Sequence, residues 1–236
     1  MVIICYLYSV LFSYLYQLNG VERISFCILK ARSTCDYCHQ KLPWYSLLPI
    51  VSFLFLKGRA LCCHHKLNKY YLIGELIAFI IPTMSLIWDI DINPTIFSFV
   101  FLFLLVMAIY DIETKYLNLQ FFALFVICLL FISHFYLINF IIYTLVSHAI
   151  YLFVHNSLGY GDIILISFLS LIFPQSFMLY FIFITILLAT LYSLFLIVKY
   201  KTKRMQIPLI PFVFISFILN AFCFKMLKFY VEGMML

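Results

Sequence analysis

The sequence predicts an all-α polytopic membrane protein, with about eight transmembrane helices and a cytoplasmic Cys-rich loop. Three observations carry that reading. Of 236 residues, 67% are hydrophobic and 10% charged, and the mean hydropathy is +1.14, more apolar surface than a water-soluble core absorbs. Apolar runs recur along the whole length instead of forming one N-terminal signal. Basic residues gather between particular runs, the pattern that orients helices in a lipid bilayer. An aromatic share of 20%, with six Gly and seven Pro, excludes collagen-like and disordered chains. The formal charge of +6 reads as a topology signal, so no direct nucleic acid partner is expected.

A hydrocarbon core of about 30 Å takes roughly twenty apolar residues per helix. Runs near that length, bounded by charge or by Pro and Asn, cover about 2–18, 71–88, 96–110, 119–138, 140–155, 162–174, 176–198 and 207–224. The long run from Ile163 to Val198 is divided at Pro174-Gln175, because proline removes a helix donor. Leu42–Leu56 is also apolar, but it holds Pro43 and Pro49 between basic segments and reads as interfacial or re-entrant. The chain then falls into a first transmembrane helix (1–19), a cytoplasmic Cys-rich loop with an interfacial segment (20–70), and a transmembrane core (71–236). No internal repeat and no low-complexity segment is evident.

Charge sets the orientation. With residues 20–70 in the cytoplasm, Arg23, Lys30, Arg32, Lys41, Lys57, Arg59, Lys66 and Lys69 lie inside. Eight crossings bring Lys115, Lys199, Lys201, Lys203 and Arg204 inside too, leaving only Lys225 and Lys228 of the 15 basic residues outside. The expected location is the cell membrane, multi-pass, with both termini extracytoplasmic.

Of the eight cysteines, Cys5, Cys128 and Cys223 sit singly in apolar spans and read as small buried hydrophobes, as does Cys27. Cys35-x-x-Cys38 and the later run Cys62-Cys63-His64-His65 differ. The cytoplasm keeps thiols reduced, and paired thiolates with nearby imidazoles satisfy tetrahedral zinc. Cys35, Cys38 and Cys63 are the preferred ligands, with Cys62, His64 or His65 as the fourth, since adjacent Cys62 and Cys63 do not easily face one metal. The bland alternative is a set of unmetallated thiols.

Acidic residues are scarce, so each one near a span needs a reason. Asp111 ends the third run and Asp162 opens the sixth, at the cytoplasmic ends of both in this orientation; carboxylates at that depth are costly and usually functional. Gly159 and Gly161 flank Tyr160 just before Asp162 and let backbone or substrate approach closely. Two carboxylates brought together share a proton: one activates water while the other polarises a peptide carbonyl, which is aspartic-protease chemistry. The bland readings are a helix cap for Asp162 and a solvated boundary charge for Asp111. Glu75, just after Gly74 in the second run, pairs with a polar or basic group or snorkels to the interface. Asp89, Asp91 and Glu113 read as loop charges. His134, His148 and His155 show no ligand spacing.

Together, Asp111, Gly-Tyr-Gly-Asp at 159–162 and the cysteine loop resemble the prepilin peptidases, the type IV leader peptidases of the membrane aspartyl class. The resemblance covers nearly the full length. Ser9 through Leu18 is similar to a degraded form of the family's N-terminal pattern, with Phe12 where Asn is usual. Ser33-Thr34-Cys35-Asp36-Tyr37-Cys38, Leu47 through Phe53 and Lys57-Gly58-Arg59 look like the family's zinc loop, although Ala60 stands where its third Cys would be. Tyr71 through Leu76 carries the family's acidic residue as Glu75. Asn118 replaces a usual Pro and Ile164 a usual Lys. Ile207-Pro208-Leu209-Ile210-Pro211-Phe212 resembles the closing signature.

The resemblance implies that Asp111 and Asp162 are catalytic, and that prepilin or pseudopilin precursors are the partners, cut between basic leader and apolar helix. It also implies structural zinc, and N-methylation of the new terminus with S-adenosylmethionine, for which no glycine-rich cofactor loop stands out. The short form looks most like competence-associated members of Gram-positive bacteria. Two other readings compete: a small ion or proton-coupled transporter using Asp111, Asp162 and Glu75, and a degenerate non-catalytic homologue.

Overall fold

The computed structural model describes residues 2–21, 32–35, 37–88, 90–153, 159–201 and 207–234. Arg23, Cys27, Lys30, Asp36, Asp89, His155, Lys203 and Arg204 lie outside them. Among the described residues the regular structure is helical, with two isolated β-bridges. An α-helix occupies each of the eight apolar runs: α1 (Val2–Asn19), α3 (Lys69–Ile87), α4 (Pro94–Thr114), α5 (Leu119–Leu130), α6 (Leu137–Phe153), α7 (Tyr160–Ile172), α8 (Gln175–Tyr200) and α9 (Ile210–Met234). The segment read as interfacial folds as a 3₁₀ turn, Trp44–Leu47, and a single α-turn, α2 (Val51–Phe55). The division at Pro174 holds, since α7 ends at Ile172 and Pro174 is the N-cap of α8.

By length and composition α4 and α8 are long and apolar enough to cross a bilayer, whereas α5, α6 and α7 are apolar but shorter. The fourth run was expected to continue to residue 138. It breaks after Leu130 because Ser133 turns back to the carbonyl of Leu129, and the Tyr136 amide is captured by the carbonyl of Leu171.

The chain forms two compact units, Met1–Ile87 and Trp88–Leu236. In the first, α1 packs on α3. Phe12 is fully buried and, with Tyr16, meets the ring of Tyr71. In the same unit the cysteine segment forms two knuckles of the same build. In the first, Cys35 N–H donates to Gln40 O, His39 N–H to Cys35 O and Leu42 N–H to Ser33 O, closed by a bridge between Thr34 and Lys41. In the second, Ala60 N–H donates to His65 O, His64 N–H to Ala60 O and Leu67 N–H to Gly58 O, closed by a bridge between Arg59 and Lys66. His39 (φ 56) and His64 (φ 54) take the same left-handed conformation. Every partner is displaced by 25 positions, so the chain does contain an internal repeat. Its sequence trace is Cys-His-x-Lys-Leu at 38–42 and 63–67, too short to stand out against an apolar background.

In the second unit α9 packs on α4 and α8, α6 on α7, and α5 on α4. Ring contacts knit the helices: Phe97 stacks on Phe217, Phe103 meets Phe121 and Phe125, and Phe168 meets Phe122 and Phe125. Aromatic pairs supply geometry as well as area where lipid offers no hydrophobic drive between helices. In the apolar window of α4 67% is buried, against 11% in α8. Leu179, Phe183, Ile186 and Leu194 of α8 stand exposed, a surface suited to hydrocarbon and too large to leave in water.

Candidate active site and candidate metal centre

Asp111 lies in the last turn of α4 and is 6% exposed. The preceding turns, Val100 to Ile109, are buried throughout, so the carboxylate is anchored by the best-packed helix of the unit. Lys115 ends α4 in the left-handed conformation, and Asn118 caps α5 by accepting from the amides of Gln120 and Phe121. The Asn that stands in place of proline therefore has a local role. Only Tyr116 and Leu117 connect the cap of one helix to that of the next.

Gly159 is the N-cap of α7, and Asp162 falls in its first turn, not at the cap itself. The Asp162 amide donates to Gly159 O. Both glycines have a steric reason. A Cβ on Gly159 would stand 3.0 Å from Oδ2 of Asp162, and one on Gly161 would stand 3.0 Å from Cβ and 3.3 Å from Cδ2 of Leu117. The α4–α5 connection thus abuts the glycine motif and brings Asp111 close enough for its charge to act on the carboxylate of Asp162. At Asp111, Oδ2 accepts the backbone N–H of Ile210, at 3.1 Å, from the first residue of α9. The Ile-Pro-Leu-Ile-Pro-Phe segment is thereby joined to the carboxylate pair. That role, and that of Leu117, had no signal in local sequence.

Glu75 is 1% exposed and fully partnered in the first unit. Its Oε1 accepts from Ser13 Oγ at 2.7 Å and its Oε2 from the Ile50 amide at 2.6 Å, while Ser9 Oγ donates to its backbone carbonyl at 2.9 Å. Ile50 (φ 61, ψ −52) centres a tight turn in which Val51 N–H reaches Pro49 O, a strained geometry for a β-branched residue. Glu75 is not snorkelling, and among the described residues it has no salt bridge; it fastens α1 and that turn to α3. Of the three histidines, His148 bonds the carbonyl of Thr144 and meets the ring of Tyr160 edge-on.

The sulfurs of Cys35, Cys38, Cys62 and Cys63 lie within 4.8 Å of one another. Cys35 and Cys63 are 3.8 Å apart and Cys38 and Cys62 3.1 Å; zinc–sulfur bonds of about 2.3 Å in a tetrahedron need about 3.8 Å between sulfurs. The four thiols fit one zinc ion. Burial works against ionising Cys35, but the amides of Cys38 and Tyr37 outweigh it and hold this thiol down at about 7, as suits a metal ligand. Cys62 is pushed up to about 12, chiefly by its hydrogen bond with Cys38. Neighbouring Cys62 and Cys63 both reach the cluster, against the expectation for adjacent residues, while the His65 ring stacks on Tyr37 at 3.7 Å.

Residues 4–89 match the bacterial peptidase A24 N-terminal domain, and residues 98–194 match the type IV leader peptidase family. Similar curated proteins are each named prepilin leader peptidase/N-methyltransferase. One from Bacillus subtilis (strain 168) is 40% identical over 50 residues, 21% of this chain and 20% of the relative. One from Vibrio cholerae is 42% identical over 50 residues, 21% and 20%, and one from Klebsiella pneumoniae 33% over 60 residues, 25% of each. The matched stretches span a fifth to a quarter of those relatives' length. No solved structure matches. The two domain matches together take in most of the chain, one over the cysteine knuckles and Glu75 and the other over Asp111 and Asp162, and on them the chain belongs to the type IV leader peptidase family.

Proposed function

We propose that this protein is a membrane aspartic endopeptidase that removes the basic leader from prepilin-like precursors, competence pseudopilins included, at the cytoplasmic face. The observation that carries the reading is the meeting of Asp111 and Asp162 from two separate helices, each seated at a helix end and each against a backbone amide or glycine. One carboxylate takes a proton from water as it attacks the scissile carbonyl, and the protonated partner donates to the carbonyl oxygen. The Ile210 N–H fixes one oxygen of Asp111 as an acceptor and so orients the carboxylate.

Within the same proposal the protein is multi-pass, with residues 20–70 cytoplasmic and the apolar helix of the substrate lying among its spans. Cys35, Cys38, Cys62 and Cys63 would hold a zinc ion, which contributes folding energy to the loop and takes no part in cleavage. The relatives' name adds N-methylation, with S-adenosylmethionine as the methyl donor. Gly159 and Gly161 are the only closely spaced glycines and they flank Asp162, so the residues present do not fit a glycine-rich nucleotide loop and no step is derived through that cofactor.

The test is co-expression with a precursor carrying a basic leader, a glycine and an apolar helix, scored by the mobility shift of the product. Wild type should process it, while Asp111→Asn and Asp162→Asn should each abolish processing, the double variant being no worse. Cleavage above a few per cent of wild type in either well-expressed, membrane-inserted single variant would sink the assignment.

A further inference from the structure

The two knuckles repeat the same backbone bonds 25 positions apart, which makes Ala60 the counterpart of Cys35, Cys63 that of Cys38, and His64 that of His39. In the first knuckle the sulfurs come from the first and fourth of these positions. In the second the first position has no thiol: Ala60 is 6% exposed and ends at its Cβ. The third position differs as well. Tyr37 turns its ring onto His65, whereas its counterpart Cys62 brings Sγ to 3.1 Å from that of Cys38.

We infer that in this chain a metal ligand has moved two residues along the second knuckle, so that Cys62 replaces the thiol Ala60 lacks and completes a four-thiolate site for a thiophilic divalent cation such as zinc. The histidines stay outside. His65 has its ring on Tyr37 and its carbonyl tied to the Ala60 amide, and His64 occupies the position that in the first knuckle is filled by the non-ligand His39. The shift works because backbone hydrogen bonds close each knuckle, so its shape survives a change of which side chain points at the metal. Both halves then contribute two sulfurs, with cross-knuckle neighbours Cys35 with Cys63 and Cys38 with Cys62. Four thiolates in a tetrahedron select zinc over harder cations.

The inference rests on the zinc reading, and the experiment separates the two. Full-length protein is purified in detergent, its zinc is measured, and the site is refilled with cobalt(II), whose thiolate-to-metal absorption grows with the number of sulfur ligands. Wild type should carry about one zinc and give a four-sulfur spectrum. His64→Ala and His65→Ala should match it. Cys62→Ser should lose one sulfur's share of the absorption and release zinc to a chelator more than about 100-fold faster, beyond the roughly 10- to 100-fold that loss of an outer-shell partner causes. Adding Ala60→Cys to Cys62→Ser should restore both properties, which also answers any concern that the single variant merely misfolds. An unchanged spectrum in Cys62→Ser, or one that collapses in a histidine variant, would overturn the ligand shift, as would failure of Ala60→Cys to restore it. Wild-type protein that takes up neither zinc nor cobalt would overturn the metal reading itself.

Discussion

The amide of Ile210 donates to Oδ2 of Asp111 at 3.1 Å, joining residues 99 positions apart. Ile210 opens α9, so its N–H has no partner within the helix, and Pro211 beside it has none to offer. A backbone donor is indifferent to side chain but lost to proline. Ile210→Val should process a precursor nearly as wild type, while Ile210→Pro, tolerated at a first helical position, should lower processing roughly 10- to 100-fold, the cost of one hydrogen bond to a charged group. Equal rates for the two variants in a processing time course would refute the role.

Gly161 is held against Leu117, with 3.0 Å between its would-be Cβ and the Cβ of Leu117. Gly161→Ala should therefore displace the first turn of α7 and depress processing, by an amount matching an overpacking cost of about 1–3 kcal/mol. Leu117→Gly removes both crowding atoms and should return part of the activity to Gly161→Ala. If the double variant is no better than the single one, the contact does not set the position of Asp162.

Glu75 accepts from two donors of separate segments, Ser13 Oγ–H and Ile50 N–H. Glu75→Ala takes away the acceptor of the Ile50 amide, at about 1–3 kcal/mol, and leaves Ser13 Oγ only the Ser9 carbonyl at 3.0 Å. Glu75→Gln keeps one carbonyl acceptor and should fall between Ala and wild type. Thermal unfolding in detergent reads the order directly; Glu75→Ala as stable as wild type would contradict the latch.

Topology is tested by chemistry at the knuckles. A membrane-impermeant thiol reagent should leave Cys35 and Cys38 unlabelled in intact cells and label them after lysis and metal chelation. Labelling from outside would invert the orientation and place the basic residues of 20–70 on the wrong face.

What the sequence by itself determined is whatever depends on neighbours along the chain. Transfer of apolar residues into lipid is a sum over consecutive side chains, so the eight helical runs and the break at Pro174 were legible, their ends excepted. Scarcity did similar work for chemistry. With nine acidic residues, Asp111, Asp162 and Glu75 drew attention because charge near an apolar run is costly, and Cys35, Cys38, Cys62 and Cys63 stood apart by their clustering. What only the tertiary structure decided is which distant groups satisfy them. Ile210 reaches Asp111 through an amide common to nearly every residue, Leu117 meets Gly161 through plain van der Waals contact, and Ser13 and Ile50 meet Glu75 across the first unit. Cys62 and Ala60 exchange parts only because backbone hydrogen bonds repeat 25 residues apart. Backbone donors and packing shape are generic in sequence and acquire specificity only when folding brings two segments to one place.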